Sequence, residues 1–161
     1  MTFVTLGTQN FPFNRLLELV DRLVAEGTLQ GEVFAQAGYS SYVPRNYAYA
    51  DFLEPEDYNR YIAEADLVIA HAGVGTIMNC LSNQKKLIVV PREKAYNEHV
   101  DDHQFEIAEE FAKQGYLLCA ENYDALQSAV LAIHTAPVRT YQPGPHMVEG
   151  KIDNFLHNRL Y

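Results

Sequence analysis

The run from Asp66 to Thr76, Asp-Leu-Val-Ile-Ala-His-Ala-Gly-Val-Gly-Thr, leaves this chain few folds to choose from. Leu67, Val68 and Ile69 form a short apolar stretch with β-branched content, the pattern of a strand covered on both faces. Gly73 and Gly75 let the backbone turn tightly and approach a ligand with no Cβ in the way. No breaker interrupts Thr76 to Leu81. A helix is predicted there, with first N–H groups that face the loop and favour an anion, above all a phosphate. Two glycines fall short of the dinucleotide fingerprint, and no Gly-Lys-Ser/Thr completes a P-loop. The pattern fits a plain chain reversal as well as a phosphate cradle.

The flanking segments alternate in the same sense. Phe3–Leu6 reads as a strand ended by Gly7. Residues 13–26 read as a helix, with Leu16, Leu17, Val20, Leu23 and Val24 on one face and Gly27 closing it. Glu32–Ala37 is a second strand, and the tyrosine-rich segment 38–52 a loop with a short strand near Tyr47–Ala50. Its tyrosines, with Tyr58 and Tyr61, suit a half-buried layer or a partner contact. Pro55 opens a helix through Glu64. After the motif come a strand at Lys86–Val90, a helix at Val100–Gln114, a strand at Tyr116–Cys119 and a helix at Asp124–His134. Residues 137–145 are rich in breakers, and Ile152, Phe155, Leu156 and Leu160 mark a short amphipathic helix.

Such alternation predicts an α/β fold, a Rossmann-like parallel sheet with helices on both faces. Residues 1–136 are expected to form the ligand-binding domain. Residues 137–161 are expected to be a connector and a helix that packs on the domain or on a partner. Ligands in these sheets lie beyond the C-terminal strand ends. Gly7-Thr8, Ala70–Thr76 and Pro91–Gln104 all follow such ends.

Charge narrows the ligand. The 161 residues carry a net charge of −9 with scattered cations, which excludes an electrostatic grip on nucleic acid or on an anionic membrane surface. Cys80 and Cys119 are too few for a disulfide framework and read as buried thiols of a reducing cytoplasm. Thr2–Gly7 reads as a strand rather than a leader, and no apolar run reaches bilayer length.

A second polar cluster, Asn97-Glu-His-Val-Asp-Asp-His-Gln104, is expected to begin a helix. Glu98, Asp101 and Asp102 suit the positive end of its dipole. His99 and His103, four apart, would share one helical face. With Asp102 they suggest a metal site, but no third strong ligand follows at a fitting spacing. Hydroxyl recognition suits these carboxylates, amides and imidazoles better. His71, at a strand end, would donate to a phosphate oxygen or bond a backbone carbonyl. No nucleophile elbow is present.

Three segments in register, His71-Ala-Gly-Val-Gly-Thr, Lys86-Leu-Ile-Val-Val-Pro-Arg and Asn97 to Gln104, resemble the C-terminal, donor-binding domain of glycosyltransferase family 28. Thr5-Leu-Gly-Thr agrees with the start of that domain. The resemblance implies the C-terminal half of a GT-B glycosyltransferase, here standing alone. Such halves are similar to the soluble subunit of the two-part UDP-N-acetylglucosamine transferase of N-glycan assembly. They are still more similar to the bacterial capsule and exopolysaccharide subunits that pair with a membrane-associated partner.

The resemblance further implies a UDP-sugar donor as substrate, with no cofactor or metal. Gly73, Gly75 and Thr76 would hold the diphosphate, with Gly7, Thr8 and His71 beside it. Asn79 stands where relatives place an acidic residue for the ribose. His103 and Gln104 would hold sugar hydroxyls, and Glu98, His99 and Asp102 would shape the pocket. The general base is not evident. His71 and His103 are the candidates in this chain, and a partner the other source. The implied acceptor is a lipid-linked saccharide. The implied partner is a membrane-associated subunit carrying the GT-B N-terminal half, which would place this chain in the cytoplasm against the inner face of the membrane; alone it could form a homo-oligomer. The competing readings are a non-enzymatic nucleotide-sugar-binding or scaffold subunit, and a fragment of a sugar-nucleotide epimerase.

Overall fold

The computed structural model describes residues 1–142. Strands β1 (Thr2–Thr5), β2 (Val33–Gln36), β3 (Ala48–Ala50), β4 (Leu67–Ala70), β5 (Lys86–Val89) and β6 (Leu118–Cys119) lie in the order β3-β2-β1-β4-β5-β6. Every neighbouring pair is parallel. Helices α1 (Asn14–Ala25), α2 (Pro55–Glu64), α3 (Val74–Ser82), α4 (His103–Lys113) and α5 (Tyr123–Ala132) connect or follow them. The fold is the α/β, Rossmann-like sheet that the alternation predicts.

Both faces of the sheet are covered, which is why its central strands are apolar at nearly every position. Val4, Ile69 and Ile88 point to one side and meet Leu16, Leu17, Val20 and Leu23 of α1 and Leu126 and Val130 of α5. Phe3, Val68, Leu87 and Val89 point to the other and meet Ile62 of α2, Ile77 and Leu81 of α3, and Ile107 and Phe111 of α4. β1 and β4 pair at the centre of the sheet, but the chain leaves β1 toward β2 and leaves β4 toward β5. The loops beyond these two strands therefore diverge and leave a crevice between them.

Several expected boundaries move. α3 begins at Val74 rather than Thr76, and β6 is confined to Leu118–Cys119. The helix expected from Val100 begins at His103. Asn97 takes a left-handed φ of 57°, and the Asp101 carboxylate accepts the His103 N–H at 2.9 Å, so the segment before His103 turns instead of coiling. His99 and His103 therefore share no helical face. Cys80 is buried as expected, whereas Cys119 is only half-buried.

The tyrosines divide. Tyr39 and Tyr49 are exposed. Tyr42 donates to Asp21 at 2.6 Å, Tyr47 donates to the Leu17 carbonyl at 2.8 Å, and Tyr61 stacks on Phe34 at 4.3 Å. No helix among the described residues is long and apolar enough to cross a membrane. The helix expected around Ile152–Leu160, and most of the 137–161 segment, lie outside the described residues.

Candidate functional site

A cleft of about 750 Å³ opens at the C-terminal ends of β1 and β4, with α2 and α4 on its walls. This is a volume suited to a small-molecule ligand. Gly7, Thr8, His71, Gly73, Gly75, Thr76, Asn79, His99, His103 and Gln104 line it, as do Gln9, Gln36, Tyr58 and Asn59. Glu98 and Asp102 do not.

The centre of the floor is His71, 4% exposed. A Cβ on either Gly7 or Gly73 would overlap its ring, so these two glycines form a socket for the imidazole. Gly7 also adopts a φ of +73°, which a side chain would strain. Gln104 cross-links this floor to the next strand end: its Oε1 accepts the Ala72 N–H at 3.1 Å and the Arg92 N–H at 3.0 Å. Its Nε2 stands 3.3 Å from His71 Nδ1, and His71 Nε2 stands 3.2 Å from Thr76 Oγ1. Both ring nitrogens are engaged, which leaves the imidazole no free lone pair for a general base. Burial, then the nearby Arg92 charge, pushes its pKa down to about 3, so the ring is neutral.

Gly75 has a different part. It sits in the first turn of α3, and a Cβ there would meet nothing within 4 Å. In the interior of a helix glycine costs up to about 1 kcal/mol relative to alanine. The fold itself needs no glycine here. Gly73, the N-cap, supplies no side-chain acceptor to the first N–H groups of α3. Free N–H groups, the helix dipole and the Thr76 hydroxyl at this end have the chemistry to receive an anion.

The cluster from Asn97 to Gln104 splits in two. Glu98, 3% exposed, turns into the protein: Arg15 grips both carboxylate oxygens, at 2.9 and 3.1 Å, and Glu93 N–H adds a bond at 2.9 Å. Its acceptors are taken, so it builds the loop rather than shaping the sugar pocket. Asp102 is likewise turned aside, accepting the Lys94 N–H at 2.9 Å. Gln104 lines the cleft but spends its carbonyl on backbone rather than offering it to a sugar. His99 and His103 do face the cleft, each with Nδ1 3.2 Å from one oxygen of Asp101. These two imidazoles hold that carboxyl below its ordinary range, after the larger effect of the His103 N–H bond. Asn79 lies on the α3 wall, its Oδ1 accepting from Asn83 at 3.0 Å.

Arg92 lies beneath the site, 1% exposed. Its guanidinium donates to the carbonyls of Leu6 at 2.6 Å, Phe11 at 2.9 Å and Glu98 at 3.1 Å. Its Nε is buried without an acceptor. Burial lowers its pKa to about 10, partly countered by Glu98, so it keeps its charge at neutral pH. Sequence reasoning met Arg92 only as the end of the Lys86–Arg92 segment and Tyr58 only as part of a half-buried layer, and it passed over Gln36 and Asn59 on the cleft wall. Gln36 ends β2 and was findable by the strand-end rule; nothing local marks the others.

The model of the glycosyltransferase family 28 C-terminal domain matches residues 1–153. The UDP-N-acetylglucosamine transferase subunit ALG13 of Mus musculus is 35% identical over 132 residues, 71% of this chain. The matched region is 10% of that protein, so this chain spans about a tenth of the length of the relative. Among solved structures, the glycotransferase of kitacinnamycin superposes with a TM-score of 0.65 at 20% identity, covering 84% of this chain and 35% of the other. The solution structure of ALG13 gives 0.59 at 23% identity, covering 99% and 94%. At those identities the structural likeness speaks for the fold.

Proposed function

This chain belongs to the glycosyltransferase family 28 C-terminal domain family, and on that premise we propose that it is the donor-binding subunit of a two-component inverting glycosyltransferase. It moves a sugar from a UDP-sugar to a lipid-linked saccharide. The observation that carries this reading is the open α3 end, where Gly75 leaves room that the protein itself does not fill. A diphosphate fits there, its charge met by N–H groups, the Thr76 hydroxyl and the helix dipole. As the acceptor hydroxyl attacks the anomeric carbon and the glycosidic bond to the diphosphate breaks, the same groups stabilise the leaving charge. His99 and His103, steadied by Asp101, face the sugar.

His71 has no lone pair to spare, so the base that takes the acceptor proton is His103 or, in our reading, a group on the partner. That partner is a membrane-associated chain carrying the GT-B N-terminal half, which holds this subunit at the cytoplasmic face of the membrane. The relatives are named as subunits of a UDP-N-acetylglucosamine transferase, which supports both a partner and UDP-N-acetylglucosamine as the first donor to test. The resemblance drawn from the motifs supports exopolysaccharide or capsule assembly as the setting.

The test is calorimetric titration of the purified chain with UDP and a panel of UDP-sugars, with and without EDTA. Binding that survives EDTA and disappears in Gly75→Asp is the expected result. Failure of every uridine nucleotide to bind would refute the donor role. Efficient transfer by the chain alone to a lipid-linked acceptor would refute the need for a partner.

A further inference from the structure

We infer that Gln104 sets the direction of a hydrogen-bond chain, Gln104 to His71 to Thr76, which turns the Thr76 hydroxyl proton toward an anion in the cleft. Gln104 is thus a positioning residue, acting on the anion through His71 and Thr76. The inference rests on the diphosphate reading of the cleft.

The direction follows from the donors at its start. Two backbone N–H groups, of Ala72 and Arg92, converge on one side-chain atom of Gln104 at 3.1 and 3.0 Å. Only the amide oxygen can accept them, so the other amide atom is the nitrogen, which can only donate. That nitrogen faces His71 Nδ1 at 3.3 Å, so Nδ1 presents its lone pair. The ring then carries its single proton on Nε2, which donates to Thr76 Oγ1 at 3.2 Å. With the Thr76 oxygen accepting, its one proton is left to point away from His71.

The packing of the ring keeps the chain from running the other way. The ring is packed between Gly7 and Gly73, where even a Cβ would overlap it, so the imidazole has no room to turn over. Without such control a threonine could as easily offer an anion its lone pairs. The burial that keeps His71 neutral removes the alternative of a doubly protonated ring.

Gln104→Glu tests this. A carboxylate keeps an acceptor for Ala72 and Arg92 but cannot donate to His71, so the imidazole proton moves to Nδ1 and Nε2 begins to accept from Thr76. Nitrogen-15 NMR of the histidine rings in the ligand-free chain reads the tautomer directly. Calorimetry with inorganic pyrophosphate and with UDP reads the consequence, in a double-mutant cycle with Thr76→Val.

We expect an Nε2–H ring in the parent chain and Nδ1–H in Gln104→Glu. We also expect about a tenfold loss of affinity in that variant, the scale of one hydrogen bond to a charged group, with little further loss once Thr76 is valine. An Nδ1–H ring in the parent chain overturns the inference, and that spectrum needs no variant to fold. An equal loss in the Thr76→Val background also overturns it, because the added charge then acts through space. A parent chain that binds UDP but shows the wrong tautomer fails this inference alone. One that binds neither pyrophosphate nor UDP fails the diphosphate reading and the ligand role of Thr76 with it.

Discussion

The β4–α3 turn and the longer β5–α4 connection bring polar residues to the same cleft by opposite means. In the first, small residues make the room: Gly73 and Gly7 admit the His71 ring, and Gly75 leaves space beyond the protein. In the second, charged residues do the building, with Arg15 and Glu98 locked together behind the surface while His99 and His103 remain in front. What separates them is the partner each polar group finds. A carboxylate that meets a guanidinium within the fold becomes structure, and an imidazole steadied by an exposed turn stays available. Polarity in a motif therefore says less about ligands than the presence of an internal partner does.

Breaking the second region should cost most. Glu98→Ala removes both carboxylate bonds to Arg15 and the acceptor of the Glu93 N–H, while Arg15 keeps Glu93 Oε2 at 3.2 Å. It is expected to destabilise the chain by about 3 kcal/mol, the upper end for hydrogen bonds to a charged group, measured by urea denaturation. If Glu98 served the ligand instead, affinity would fall and stability would hold. In the first region, Gly73→Ala drives a methyl into the His71 ring and should cost about 1–3 kcal/mol.

Acid should probe the same socket. His71 titrates at about 3 in the fold against 6.5 when free, so the unfolded chain binds more protons between those values. Stability is complete above pH 6.5 and declines as pH falls, by at most about 1.4 kcal/mol per pH unit from this group. Denaturation midpoints across pH 6.5 to 4 in the parent chain and in His71→Gln would isolate its share, since only the parent retains that slope. The smallest change comes from Gly75→Ala, which should stabilise α3 by up to about 1 kcal/mol while weakening UDP binding. Unaltered binding in that variant would erase the contrast between the two glycines.

Much of the fold was legible because covered parallel strands leave an uninterrupted apolar signature, as at Leu67–Ile69, and because Pro55 and Gly27 mark their helix ends. The cleft was legible at its glycines and at His71, since chemistry in such sheets gathers at strand ends. The start of α4 was not. Asp101 and Asn97 offer the backbone local alternatives to a helix, and composition alone cannot show which alternative wins. Glu98 and Gln104 look like ligand contacts in the sequence because their partners, Arg15 and the strand-end amides, are distant along the chain. Arg92 closes one of the segments that carry the resemblance, but nothing in the sequence marked its burial, since a cation is ordinarily exposed.

The three carbonyls that Arg92 holds belong to the end of β1, the loop before α1 and the connection before α4. One side chain thus ties together segments that would otherwise fluctuate separately. Their conformational entropy is surrendered when the chain folds rather than when a ligand arrives, so more of each contact's free energy remains to appear as affinity.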